Sequence, residues 1–317
     1  MDEIDRIERR VKLQDVRTLI SVVQTGSMSK AAKRLATSQP AVSRAISDLE
    51  HVLGVRLLDR GPQGIEPTQY GRAIVARGVA VFDELRQGIK DIEFLSDPTA
   101  GELRFACSES MADGLVFAVI DRLTRRYPGM QFQAITGGGP PLFDELTKRK
   151  VEFVISRMTD VAAEEYMVVQ TLFNDSWVVA AGSHSPWAQR RHIELAELEN
   201  EPWVLAPSDG FGSGLVAEAF QAIGLKPPKA SVATMSLNLR NRLLATGRFL
   251  TMLPGYSVKF RDRYPPLKAL PVKLPDSRAA VAVVTLRNRT LSPVAQLFIE
   301  TMRMLAKQLK LAEPTKL

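Results

Sequence analysis

The residues best suited to chemistry lie in one short polar tract near the N-terminus. Its side chains are Gln39, Ser43, Arg44 and Ser47. Glutamine can form two hydrogen bonds with the edge of adenine, and arginine can bind guanine or a phosphate. The hydroxyls of Ser38 and Ser43 are short enough to bond a phosphate at close approach. The tract therefore has the chemistry of a surface that reads a DNA duplex.

Three helices are needed to position this tract, and the sequence marks the first two clearly. Apolar residues recur at helical spacing from Leu13 to Val23, and the run stops at Gly26, a residue suited to a helix C-terminus. Ser27 can cap a short second helix. The tripeptide at 36–38 then makes a tight break.

The third helix is predicted to begin after Ser38 as its N-cap and to carry Pro40 in its first turn, where proline is tolerated. Its apolar stripe consists of Val42, Ile46, Leu49 and Leu53. Gly54 ends the helix, and the polar tract lies off the stripe. Two short helices joined by a three-residue turn predict a helix-turn-helix, whose second helix enters the major groove. The alternative is an ordinary surface helix with serines and a proline at its cap.

A small hairpin is expected next. The segment 55–60 predicts a strand, 61–64 a turn and 65–67 the returning strand. As a wing, this hairpin could bring Arg60 and Gln63 to the DNA backbone or the minor groove. Arg60 is equally suited to anchoring the hairpin through a salt bridge.

Thr68 can cap a long fourth helix that runs towards Phe94. A series of apolar residues close to a heptad repeat lies along it: Ile74, Val81, Leu85 and Ile92. Such a helix buries its seam against a partner, so we expect a homodimer that sets two recognition helices on successive half-sites of an inverted repeat. The alternative is that the stripe packs on the C-terminal half of the same chain.

The distribution of charge agrees with a polyanionic partner. The formal net charge is +7, and residues 11–80 hold ten basic against five acidic residues, a local excess of +5. Such an excess is expected where phosphates are neutralised, although a solvated helical surface would look the same on charge alone.

Several other function classes are disfavoured by the composition. Cys107 is the only cysteine and the three histidines are scattered, which argues against a disulfide framework, a cysteine-rich zinc site and a two-cysteine redox switch. The start lacks the apolar stretch of a signal peptide, and no run suggests a membrane span, so a cytoplasmic protein without a membrane partner is expected. No Gly-x-Ser-x-Gly elbow occurs, and an enzyme is not expected.

Beyond a break at 97–101, strand and helix patterns alternate in the way that βαβ units of a parallel sheet do. Ligands of such sheets bind beyond the carboxyl ends of the strands. The expected pocket wall consists of Ser108, Glu109, Ser110, Thr136, Gly137 and Arg157, with Ser208 and Phe211 closing it from a second lobe. Serines and amides suit a carboxylate or hydroxyl, and Arg157 could clamp an anion. Glu109 points instead to a polyol, amine or sugar.

Two glycine-rich loops could suggest a cofactor but lack the necessary residues. The loop at 137–141 has no Lys-Ser/Thr pair, and the loop at 210–214 lies outside an early strand-turn-helix unit. We expect no cofactor.

The tract from Ser27 to Arg44, followed by Leu49-Glu50 and the segment 53–60, resembles the LysR-type transcriptional regulators. The resemblance covers the chain from about residue 11 and is dense up to Gly71. It implies a winged helix-turn-helix, a dimerising linker helix and a two-lobed α/β effector domain like the periplasmic binding proteins. By position, the family's DNA-contacting residues correspond to Gln39, Pro40, Ser43 and Arg44.

On this basis the expected domains are a DNA-binding domain at 11–68, a linker helix at 69–95, a hinge at 96–101 and an effector domain at 102–317. The lobes of that domain are 102–173 with 275–317, and 174–274. The resemblance further implies a small-molecule effector, a tetramer assembled from dimers on DNA, and contact with RNA polymerase. Two features depart from the family: an additional segment at 1–10, and Gln63 where many relatives carry a basic residue.

A solute-binding protein of the same two-lobed fold is the main alternative. It would need a signal peptide and would not need the first 95 residues. A purely architectural DNA-binding protein is disfavoured by the large C-terminal half.

Overall fold

The computed structural model describes residues 9–61, 64–158, 164–207, 214–259, 267–275 and 278–309. The chain forms two compact units, one ending at Ile89 and the other beginning at Lys90. Within the described ranges, no helix combines the length and apolar character needed to cross a bilayer.

The first unit opens with three helices: α1 (Leu13–Thr25), α2 (Met28–Arg34) and α3 (Gln39–Leu53). Gly26 ends α1 in the left-handed conformation, with φ of 65°, which glycine adopts without a Cβ clash. The hydroxyls of Ser27 and Ser38 cap the next two helices by accepting hydrogen bonds from backbone amides, at 3.5 and 3.3 Å. The predicted helix-turn-helix is confirmed.

One face of each helix supplies the core of this unit. The buried apolar side chains are Val16, Leu19, Val22, Met28, Ala31, Ala32, Val42, Ile46, Leu49, Leu57 and Leu58. Burial of each larger side chain contributes about 1.5–3 kcal/mol, so this cluster fixes how the three helices pack.

The wing is a two-stranded antiparallel hairpin of β1 (Leu58–Gly61) and β2 (Gly64–Pro67). The sequence-based start of β1 at residue 55 is wrong. A carboxylate oxygen of Glu50, on α3, accepts hydrogen bonds from the amides of Leu57 and Leu58, at 2.7 and 3.3 Å. These bonds tie the approach to the hairpin to α3, so pairing with β2 begins only at Leu58.

Helix α4 (Gln69–Ser96) is the long helix expected from the sequence. The Thr68 hydroxyl accepts a hydrogen bond from the amide of Gly71 at 3.0 Å, which confirms the expected N-cap. Gly71 packs so closely on the residue that precedes β1 that a Cβ there would be 2.0 Å from the carbonyl oxygen of Leu57.

The predicted hinge at 96–101 is longer than the break that the structure contains. Helix α4 includes Ser96, and the next strand begins at Ala100. The break between them is stabilised by Asp97, whose carboxylate accepts hydrogen bonds from the amide and hydroxyl of Thr99 at 2.9 and 2.6 Å.

The second unit contains two five-stranded sheets, one in each of two lobes. The first lobe holds β3 (Ala100–Ser108), β4 (Gly129–Gly137), β5 (Val154–Arg157), β6 (Met167–Asp175) and β12 (Ala279–Leu286), in the order β4-β3-β5-β12-β6. The second lobe holds β7 (Trp177–Gly182), β8 (Trp203–Leu205), β9 (Ala230–Ala233), β10 (Leu250–Pro254) and β11 (Leu267–Ala269), in the order β11-β7-β10-β8-β9.

Both sheets are mixed, so the expectation of a parallel sheet is only partly correct. In the first lobe β3 pairs in parallel with β4 and β5, but β12 runs antiparallel to β5 and β6. Strand β12 enters the sheet directly from the second lobe, without the helical crossover that a parallel neighbour needs. In the second lobe, β7 is antiparallel to β10 and β11.

The longer helices of this unit are α5 (Phe117–Arg126), α6 (Pro140–Thr147), α7 (Gly214–Gln221), α8 (Leu237–Ala245) and α9 (Pro293–Gln308). The helical conformation ahead of α5 begins at Glu109 and passes through a π-helical stretch at Ala112–Val116. Helix α9 packs on the first sheet, with the ring of Phe298 4.9 Å from that of Phe105.

Gly71→Ala should destabilise the protein by about 1–3 kcal/mol, because the added Cβ meets backbone rather than a movable side chain. Thermal unfolding measures this change. Gly61→Ala is the control, since a Cβ there meets nothing within 4 Å, and it should alter stability by less than about 0.5 kcal/mol. Equal effects of the two substitutions would contradict the close approach at Gly71.

Candidate nucleic-acid interface and ligand cavity

Helix α3 separates an apolar face from a polar one. Val42, Ile46 and Leu49 are buried in the core, whereas Gln39 and Arg44 are exposed. Ser47 is also exposed, and Ser43 is half-buried. The burial of one stripe therefore leaves the predicted tract on the outer surface, where a duplex can approach it.

Ser38 and Pro40 lie at the exposed N-terminal end of the same helix. The Ser38 oxygen accepts the amide hydrogen of Ala41, and its own hydroxyl hydrogen remains available to a phosphate oxygen. The helix N-terminus adds a partial positive charge that favours the same phosphate.

The two wing residues of the prediction cannot be placed in this surface. Gln63 and the Arg60 side chain lie outside the described part of the chain. Their contact with DNA stays a prediction.

Three basic residues absent from the predicted site lie on neighbouring α2. Lys30, Lys33 and Arg34 are exposed, beside the turn that leads into α3. Only the local excess of charge signalled them in the sequence, because a basic residue on a surface helix has no motif of its own. They are suited to phosphates rather than to bases.

A cavity of about 290 Å³ lies between the lobes of the second unit. Of the predicted effector-site residues it brings together Ser108, Glu109, Ser110, Gly137 and Arg157. Thr136 lies instead in an adjoining cleft with Glu109 and Asp113. Ser208 and Phe211 fall outside the described residues, so their part in the site stays a prediction.

Most of the remaining cavity wall is apolar. It comprises Trp177, Leu205, Ala206, Leu215, Val216, Met235, Leu237, Met252 and Pro254. Such a wall accepts the hydrocarbon body of a small molecule and leaves orientation to a few polar groups.

One polar corner of the cavity is a chain of hydroxyl groups. Tyr256, in the turn that follows β10, donates a hydrogen bond to Ser110 Oγ at 2.7 Å, and that oxygen is 3.3 Å from Ser108 Oγ. Burial raises the pKa of Tyr256, with the bond to Ser110 opposing the shift, so the phenol keeps its proton. Sequence patterns gave no sign of Tyr256, which reaches this corner from the second lobe.

Arg157 has a partner within the protein. Its Nη1 lies 3.0 Å from a carboxylate oxygen of Asp175, and its guanidinium stacks over the ring of Trp177 at 5.0 Å. Asp175 also accepts the amide hydrogen of Tyr256 at 2.9 Å. Burial raises the pKa of Asp175, and the charge of Arg157 opposes that shift. Arg157 thus holds the strand crossing between the lobes, which weighs against a primary role as the anion clamp.

Arg240 on α8 is a second cation on the cavity wall, and sequence analysis missed it. Its Nε is inaccessible to solvent and has no hydrogen-bond acceptor among the described residues. Burial lowers its pKa, while the negative charge of Asp113 and, more weakly, that of Glu109 oppose the shift. A single arginine in a helix carries no pattern that distinguishes a cavity wall from a surface.

Cys107 lies inside β3, next to the predicted site, but is fully buried. Burial raises the pKa of its thiol to about 12. The nucleophilic thiolate is therefore scarce at physiological pH, and the residue acts as a small apolar core group.

The sequence matches two family profiles. "Bacterial regulatory helix-turn-helix protein, lysR family" covers residues 13–72, and "LysR substrate binding domain" covers residues 96–307. The uncharacterized HTH-type transcriptional regulator YdcI of Escherichia coli strain K12 is 25% identical over 304 residues, which are 96% of this chain and 98% of that protein.

The fold is similar to those of full-length regulators. Full-length OxyR from Pseudomonas aeruginosa superimposes with a TM-score of 0.63 at 21% identity, covering 93% of this chain and 95% of that one. Full-length CbnR in complex with its target DNA gives a TM-score of 0.52 at 19% identity, covering 93% of this chain and 100% of that one.

Cys107 should resist thiol reagents in the folded protein. With a pKa of about 12, on the order of one thiol in ten thousand is ionised at pH 8, and burial blocks access as well. Labelling with a chromogenic disulfide should be negligible under native conditions and stoichiometric in urea. Ser29→Cys adds an exposed thiol as a control that labels at once. Rapid native labelling of the unaltered chain would contradict the burial of Cys107.

Proposed function

The chain belongs to the LysR family of transcriptional regulators, and we propose that it reads an inverted-repeat promoter site through Gln39, Ser43 and Arg44. Members of this family bind DNA and small-molecule effectors and are not enzymes. The observation that carries the proposal is the exposed polar face of α3, held outward by the burial of Val42 and Ile46.

The exposed apolar side chains of α4 support a homodimer. Val81, Leu85, Ile89, Ile92 and Leu95 are 44, 50, 56, 65 and 79% exposed in the single chain. Their spacing of three or four residues sets them along one side of the helix, and covering each would contribute about 1.5–3 kcal/mol. Two-fold pairing through this stripe would present two copies of α3 to successive half-sites. From the family we propose that two such dimers form a tetramer.

The cavity between the lobes is the proposed effector site. An effector regulates only if it binds one arrangement of the lobes more tightly than another, and its influence is limited to that difference of a few kcal/mol. We propose that this difference alters promoter binding and contact with RNA polymerase, and that the protein acts in the cytoplasm, where promoters are found. The alternative, a solute-binding protein without regulatory role, would leave residues 13–72 without a function.

Arg44→Ala should lower the affinity for a specific site by about 1–3 kcal/mol if Arg44 pairs with a base. The site is first obtained by selecting duplexes from a random pool with the unaltered protein, and affinity is then measured by fluorescence anisotropy at fixed salt. Arg191→Ala, which removes the same charge from an exposed position in the second lobe, should change little. Equal affinities for Arg44→Ala and the unaltered chain would remove Arg44 from the recognition surface.

Leu85→Glu should dissociate the dimer, because a carboxylate in a buried apolar seam loses its hydration without a partner. Sedimentation equilibrium should give a smaller multiple of 35.1 kDa for this variant than for the unaltered chain. Ile223→Glu changes an apolar residue that is 49% exposed in the second lobe, and it should leave assembly unchanged. An assembly whose mass is unchanged by Leu85→Glu would refute pairing through α4.

A further inference from the structure

We propose that the effector is a small carboxylic acid whose carboxylate binds Arg240 and whose apolar body lies against Trp177 and Met252. This inference rests on the proposed function in one respect, that the cavity between the lobes is the effector site. The inference adds to the proposed function the chemical class of the ligand and the residue that selects this class.

The first support is the unmet hydrogen-bonding capacity of Arg240. A guanidinium has five N–H donors, and a buried donor without an acceptor costs free energy that a ligand can recover. The Nε of Arg240 is such a donor among the described residues. An arginine fork matches the two oxygens of a carboxylate, so an acid can satisfy the donors and the charge together.

The second support is the contrast with Arg157. Both arginines line the cavity, but Asp175 already pairs with Arg157 at 3.0 Å. None of the described residues forms an ion pair of this kind with Arg240; Asp113 and, more weakly, Glu109 act on it electrostatically from positions that solvent reaches. Of the two cations, Arg240 is therefore the one that a bound anion can neutralise.

The third support comes from the hydroxyl chain that lines the same cavity. Tyr256, Ser110 and Ser108 supply three hydroxyl hydrogens; that of Tyr256 is donated to Ser110 Oγ, and Ser108 Oγ lies 3.3 Å from the same oxygen. The serine hydroxyls can rotate about their C–O bonds, so one of them can donate to an outside acceptor when a ligand is present. This corner is suited to an oxygen atom on the ligand, such as a second carboxylate oxygen, a keto group or a hydroxyl group.

The remaining wall argues against a cationic or polyhydroxyl ligand. Glu109 is the one carboxylate among the described residues that line the cavity, and its side chain is exposed. An ammonium ion would have to share the cavity with two arginines, and a sugar would leave its hydroxyl groups against the apolar wall. The volume of about 290 Å³ is at the small end of ligand pockets, which suits an acid of modest size.

The test uses the full chain and two sets of matched probes. One set is phenylacetate, phenylacetamide and 2-phenylethylamine; the other is 4-methylpentanoate with its amide and the corresponding amine. Each set keeps the apolar body and changes the head group from anion to neutral to cation. Binding is measured by calorimetry and by the shift of thermal unfolding at millimolar probe. We expect the acids to bind and the amides and amines to bind at least roughly tenfold more weakly.

Variants then test the role of Arg240. Arg240→Gln should weaken acid binding at least roughly tenfold, because it removes the charge while keeping a polar side chain, and Arg240→Lys should restore part of the loss. Arg242→Gln is the matched control, because Arg242 lies on the same helix, is exposed and does not line the cavity. It should bind the acids as the unaltered chain does.

Three results would overturn the inference: tighter binding of the amines or of galactose than of the acids, undiminished acid binding by Arg240→Gln, or no binding of either acid. The same preparations are assayed on the selected duplex, and the thermal unfolding transition of Arg240→Gln without probe shows that the variant is folded. If the protein still prefers that duplex but does not bind the acids, only the proposed effector class is rejected. If the unaltered chain does not prefer that duplex to other sequences, the proposed function is rejected instead.

Discussion

The burial of a single apolar stripe of α3 is the interaction on which the rest depends. Val42, Ile46 and Leu49 are nearly inaccessible to solvent, and that contact fixes the rotation of α3 about its axis. Successive residues of a helix are about 100° apart, so a rotation by two positions would turn Arg44 towards the core and expose the stripe. Burying an unpaired guanidinium costs far more free energy than a surface contact contributes, so the packing of the core selects one orientation of α3. The recognition surface is in this sense a consequence of hydrophobic packing.

The second unit depends on a different device, a polar cluster where the chain crosses between lobes. Asp175 ends β6, Trp177 begins β7, and the carboxylate of Asp175 binds Arg157 from β5 and the amide of Tyr256 after β10. The amide of Gly255 also donates to the carbonyl of Ser176 at 2.8 Å. Groups from both lobes thus bind Asp175 and Ser176. Because the Tyr256 phenol extends from this cluster to Ser110, a ligand in the cavity and the strand crossing share one network.

The first unit was largely predictable because its signals are local. Gly26, Ser27, Ser38 and Gly54 mark helix ends through their own backbone and capping chemistry, which requires no distant partner. The strand at residue 55 failed for the opposite reason, since Glu50 takes the amides that the pattern assigned to β1. In the second unit the antiparallel direction of β12 could not be predicted, because the apolar residues of a strand give no sign of whether it runs parallel or antiparallel to its neighbours. Tyr256 and Arg240 reach the cavity only through tertiary folding.

The central claim, that the polar face of α3 lies in a duplex groove, is tested most directly by affinity cleavage. Because Cys107 is buried, Ser47→Cys provides one accessible thiol to which an iron chelate can be attached. On the selected duplex we expect strand cuts confined to each half-site, and Arg191→Cys carrying the same reagent should give none there. Cleavage by the Arg191→Cys conjugate within the half-sites, with none from the conjugate at 47, would contradict the account.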